Sequence, residues 1–91
     1  MNKERRKELC RAIDLLDEAK SKLEEATEIV QTCKDEEEEC YCSLPESLQE
    51  GEKGDTMQEN IDNLDEALTT IEDMPGTIDD AINSIREAIY R

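Results

Sequence analysis

Two groups of side chains in this sequence have the types and spacing to do chemistry. The first is the cysteines. Cys40 and Cys42 stand two apart, Cys33 lies seven residues upstream, and Cys10 lies far earlier. Thiolates hold zinc when two Cys-x₂₋₄-Cys pairs are gathered at a turn. Here no second pair exists, and Cys33 and Cys40 repeat at helical spacing. That pattern favours small residues filling a close-packed helix seam, as buried free cysteines often do. The second group is the acidic run Asp35, Glu36, Glu37, Glu38 and Glu39, continued by Glu46, Glu50 and Glu52. Carboxylates bind calcium, serve as acid or base, or meet a basic surface. Calcium loops alternate oxygen ligands around a central glycine, and this run does not.

The rest of the composition weighs against catalysis. There is no histidine, so the usual general base near neutral pH is missing. Carboxylate acid–base work needs a cleft that raises one pKa, and a narrow helical rod offers little cleft. The absence of Glu-x-x-His excludes a di-metal bundle site of the ferritin-like kind. Gly51, Gly54 and Gly76 are spaced as turn residues, not as a phosphate-binding loop. The expectation is a protein that is not an enzyme and takes no metal and no cofactor.

Charge then narrows the partners. The 91 residues carry 26 Asp and Glu against 11 Lys and Arg, a net charge of -15. The first eleven residues hold Lys3, Arg5, Arg6, Lys7 and Arg11 against Glu4 and Glu8, a net +3, which leaves -18 on the remainder. Nucleic acid is repelled by such a body, because phosphate binding depends on Lys and Arg. A basic protein surface is the complementary partner. Acidic residues also recur four apart on one helix, as Asp14 with Glu18, Glu24 with Glu28, and Asp35 with Glu39. Each such pair costs an isolated helix roughly 0.2–0.5 kcal/mol. A charge kept at that cost serves either solubility or binding. If it binds, one version is a DNA mimic: duplex DNA carries a charge per about 1.7 Å of axis, which acids along a rod approach. The other is an adaptor that uses the polar loop and its flanking acids.

The elements that position these groups read as helices. Hydrophobic residues make up 35% of the chain and aromatics 2%, too little for a large globular core. Yet the apolar residues are periodic. Asn2 can cap a helix over residues 2–42. Leu9, Leu16, Leu23, Val30 and Leu44 repeat in sevens beside Ala12, Ala19, Ala26, Cys33 and Cys40, interrupted by Glu37. Ile13, Leu15 and Ile29 widen this stripe. A loop follows over residues 43–55, with one extra turn after Pro45 closed by Gly51. Thr56 with Glu59 matches a capping box, predicting a second helix over residues 56–73. Its stripe is Met57, Ile61, Leu64, Leu68 and Ile71, resumed by Ile78, Ile82, Ile85 and Ile89. Pro75-Gly76 predicts a kink or break at residues 74–76, with Thr77 and Asp80 recapping a helix over residues 77–90.

The expected fold is therefore all-α: a single domain over residues 1–91, an antiparallel helical hairpin with its basic first turns beside Asp79, Asp80 and Glu87. A stripe this wide leaves apolar side chains uncovered in one hairpin, so a homodimer forming a four-helix bundle is expected. No apolar run reaches the length of a signal-peptide core or a membrane span, which predicts a cytoplasmic protein without membrane contact, its cysteines reduced.

The opening Asn2-Lys3-Glu4-Arg5-Arg6-Lys7, the stretch DEEEECYCSLPESLQEGEKG over residues 35–54, and Ile61-Asp62-Asn63-Leu64-Asp65-Glu66-Ala67 together resemble small acidic helical proteins encoded by phages and mobile elements of Gram-positive bacteria. The resemblance implies an accessory role in a bacterial host cell, such as inhibition of a host factor. It supplies no functional residues. On the residues themselves the candidate contacts are Asp35, Glu36, Glu37, Glu38, Glu39, Glu46, Glu50 and Glu52. Two competing expectations stand beside a docking module. One is a self-assembling bundle whose charge only keeps it dissolved. The other is a small-ligand sponge, disfavoured because two tyrosines are the only aromatics available to stack.

Overall fold

A computed structural model describes residues 1–90. It is all-α, in the order α1 (Lys3–Cys42), α2 (Glu46–Gln49) and α3 (Glu52–Ile89), with no strand among the described residues. Packing divides the chain into two compact units. One joins Met1–Glu25 with the stretch from Asp73 onward, and the other is Ala26–Glu72.

Helix α1 begins as its sequence predicts. Asn2 Oδ1 accepts the Arg5 backbone N–H at 2.8 Å, satisfying one of the donors that a helix start leaves open. Its packed face is a column of sevens, Leu9, Leu16, Leu23, Val30 and Glu37, beside a second column of Ile13, Lys20, Thr27, Lys34 and Tyr41. All of these are buried or half-buried. The expected seam cysteines are not: Cys33 and Cys40 are exposed, as are Cys10 and Cys42. The cause is helical geometry. A helix of 3.6 residues per turn drifts about 20° per heptad from a strict repeat of seven. Ala12, Ala19 and Ala26 still border the packed side, but two turns later the same column has rotated outward. Lys34 and Tyr41 take its place.

The loop is shorter and more ordered than residues 43–55. Pro45 sets up α2, its carbonyl accepting from Leu48 N at 2.9 Å and Gln49 N at 3.0 Å. The Gln49 side-chain amide reaches back to the Tyr41 carbonyl at 2.9 Å, which satisfies a C-terminal carbonyl of α1. Helix α3 then starts at Glu52, not at residue 56, so the Thr56–Glu59 capping box is not used. Gly54 explains the early start. It is buried, and a Cβ there would lie 2.6 Å from Gln49 Cα, so only glycine lets the first turn of α3 close over α2. Gly51 supplies the first carbonyl, accepting from Asp55 N at 3.0 Å. Glu52 and Asp55 in this first turn suit the positive end of the helix dipole.

The expected break at residues 74–76 does not interrupt the helix, and residues 77–90 are not a separate recapped segment. Pro75 lies inside α3. Proline has no N–H and so cannot donate to the Ile71 carbonyl. Its ring is half-buried, seven residues before Ile82 and fourteen before Ile89, both of them buried in the same unit. Thr77 Oγ1, expected at a new cap, donates instead to the Asp73 carbonyl at 3.4 Å.

Within the first unit, Ile13, Ile82 and Ile89 form a buried cluster, flanked by Leu9, Leu16, Ile78 and Ile85. Burial of an isoleucine side chain contributes roughly 1.5–3 kcal/mol. At its rim Lys20 Nζ meets Asp79 Oδ1 at 2.6 Å. This places Asp79 opposite Lys20 rather than the basic first turns, where Arg11 pairs locally with Glu8 at 3.9 Å. Within the second unit, Ile61 and Leu68 are the buried apolar residues, and Lys34 Nζ meets Asp65 Oδ1 at 2.8 Å.

Candidate interaction surface

The candidate acids lie in the second unit, on the last turns of α1, on α2, just after it at Glu50, and at the start of α3. They are not equivalent. Asp35, Glu36 and Glu39 are exposed, whereas Glu37 and Glu38 are half-buried. Glu37 falls in the packed column of α1, so the residue that interrupts the sequence heptad is partly enclosed by the fold. Glu38 is engaged by Lys34 Nζ at 3.7 Å, and Asp35 accepts from Gln31 Nε2 at 3.0 Å. Glu46, Glu50 and Glu52 are exposed around the loop.

Lys34 organises this surface. Its side chain is only 18% exposed, and its ammonium lies between Asp65 of α3 and Glu38 of α1. The hydrogen bond to Asp65 is the main cause that raises its pKa above the usual lysine value, helped by the charges of Asp65, Glu38 and Asp35 and opposed by burial. Lys20 is raised in the same way, chiefly by its hydrogen bond to Asp79. Neither lysine stands out in the sequence. The available signal is their position: both sit in the column of sevens that starts at Ile13, where an aliphatic stem packs and only the ammonium reaches out.

Glu36 and Glu39 are exposed and, among the described residues, have no ion pair, as is also true of Glu46, Glu50 and Glu52. Glu39 lies in the last turn of α1, which contains no basic residue. A helix C-terminus carries partial negative charge, so an acid there is placed against the dipole, at a cost of roughly 0.3–1 kcal/mol. Glu36 borders a shallow groove formed with Glu28, Ile29, Thr32 and Cys33. By contrast, Glu46 and Glu52 occupy first turns, where acids are locally favourable.

Among the described residues, no group of three or more Cys, Asp or Glu side chains is placed to hold a metal ion. No described helix is long and apolar enough to cross a membrane. Set against family models, curated proteins and solved structures, the chain matches none of them.

Proposed function

We propose that this chain is a non-enzymatic acidic docking module that occupies a basic surface of another protein, as a phage-encoded inhibitor of a host factor would. The observation that carries the reading is Glu36 and Glu39 on α1. Both are exposed and lack an internal cation among the described residues, and Glu39 lies in the last turn of α1, where acids are least favourable. Charge placed at such a cost is accounted for by a partner that compensates it. Exposed Glu46, Glu50 and Glu52 extend the same negative surface around the loop. A nucleic-acid-binding protein is the partner class with the matching charge, whether the surface works as a DNA mimic or as an adaptor.

The scaffold for this module is an antiparallel hairpin. In support, each unit pairs a stretch of α1 with a stretch of α3, through Lys20–Asp79 in one and Lys34–Asp65 in the other. A second reading is favoured by Leu15 and Ile29, which are 56% and 65% exposed. On that reading the hairpins self-assemble into a four-helix bundle and the charge serves solubility alone.

The test is capture from a bacterial lysate, with and without nuclease, by the native chain and by a variant with Glu36→Gln and Glu39→Gln. Docking predicts one basic protein held at moderate salt by the native chain and released by the variant, with DNA competing for it. Equal capture by both chains removes the docking reading and leaves self-assembly.

A further inference from the structure

We infer that the shallow groove on α1 formed by Glu28, Ile29, Thr32, Cys33 and Glu36 receives a basic amphipathic helix of the partner protein. That partner class rests on the docking reading above, to which it adds a shape. The groove lies wholly within one helix and within the unit Ala26–Glu72. Ile29, Cys33, Glu36 and Cys40 follow one another at steps of four, three and four residues, so they share one side of α1. Glu28, Thr32, Asp35 and Glu39 repeat the same steps one residue earlier and form the adjoining row. All eight are exposed. The first row is apolar except for Glu36, since a free cysteine behaves as a small hydrophobe. The second is acidic except for Thr32. Ile29, at 65%, is the most exposed large apolar side chain within the described helices.

Spacing and charge together select the occupant. Steps of four, three and four form the kind of row against which a second helix lays its own apolar side chains, as in helix-in-groove recognition. Residues 26–72 hold 15 Asp and Glu against Lys34 and Lys53, a net charge of -13. A second copy of the same face is therefore repelled, and a basic helix is drawn in. A partner helix with an apolar row beside a row of Lys or Arg matches both rows of α1. A cation set within its apolar row meets Glu36. An array of phosphates has no apolar row, so Ile29, Cys33 and Cys40 separate this mode from DNA mimicry, for which acids alone suffice. Ile29 then anchors the partner rather than a bundle of copies.

Two synthetic peptides of Leu and Lys test the inference. In one, Leu forms a single helical face; the other is a scrambled isomer of the same composition and charge. Fluorescence anisotropy at about 0.15 M salt, where long-range attraction is screened, should show the native chain holding the first at least about tenfold tighter than the isomer. Ile29→Ser should remove most of that preference with no loss of helical circular dichroism, because the side chain it shortens is exposed. Iodoacetamide labelling under reducing conditions, read by mass spectrometry, should find Cys33 and Cys40 slowed several-fold by the amphipathic peptide and Cys10 unchanged. Equal binding of the two peptides overturns the amphipathic helix and leaves acidic docking standing. A preference that survives Ile29→Ser, with Cys33 still reactive, overturns this groove. Binding of neither peptide overturns acidic docking together with the inference built on it.

Discussion

Gly54 and Gly76 are both helical, yet they should answer the same substitution in opposite ways. Gly54→Ala drives a methyl group into the Gln49 backbone, which cannot swing aside as a flexible side chain would. A loss of about 1–3 kcal/mol is expected, from overpacking at a site with no room. At Gly76 an added methyl would meet nothing within 4 Å, so Gly76→Ala should stabilise by about 0.5–1 kcal/mol through helix propensity and a less flexible unfolded chain. Urea unfolding of the two variants measures both signs, and a stable Gly54→Ala would contradict the α2–α3 packing. The two lysines give a pH prediction. Lys20 and Lys34 have pKa values raised in the folded state above the ordinary 10.5. Their stabilising effect is therefore fully present below that value and is lost as pH rises through the higher folded one. Thermal melts should show a fall in stability above about pH 10.5 that is reduced when both lysines are replaced by Met, which keeps the packed stem and removes the titrating group.

At the scale of the helix, Pro75 is the residue with most to reveal. It withholds one hydrogen bond from the Ile71 carbonyl and is half-buried, seven residues before the buried Ile82. Pro75→Ala restores the bond and gives up part of the ring's packing, so a gain of about 1–3 kcal/mol in unfolding free energy is expected. A loss in the same urea titration would mean that the ring, not the helix ladder, is what the site depends on. This residue also marks the limit of what periodicity reveals. The stripe from Met57 to Ile89 is legible because seven-residue phase carries across the proline. A local rule, that proline ends helices, predicts a break that column packing overrides. Gly54 is legible as a turn glycine but not as a close-approach glycine, since its neighbour Gln49 comes from another element. Extending a strict heptad along a straight helix misplaces the cysteine column, because the 3.6-residue turn rotates it outward. Of the candidate acids, exposure is inferable at Asp35, Glu36 and Glu39, whereas the engagement of Glu38 by Lys34 needs the position of Asp65 on a different helix.

For the whole molecule, net charge sets the balance between folded and unfolded chain. With 26 acidic and 11 basic residues, most carboxylates have no basic residue left to pair with one to one. Folding concentrates that charge, and self-repulsion opposes the compact state. Against it stand two short cross-helix ion pairs, Lys20–Asp79 and Lys34–Asp65. Both effects are screened by salt, over a Debye length that falls from about 30 Å at 0.01 M to about 8 Å at 0.15 M. Repulsion acts over many longer separations, whereas each ion pair is a direct contact with a hydrogen bond, so screening removes more of the former. The melting temperature should therefore rise from low to moderate salt. Potassium chloride and sodium chloride should act alike, because the effect belongs to ionic strength and not to a bound ion. If stability falls instead, attractive pairs govern the fold. The Lys20→Met and Lys34→Met chain then decides which pairs: a salt dependence that disappears in it assigns the attraction to these two contacts, and one that survives assigns it to the basic segment from Lys3 to Arg11.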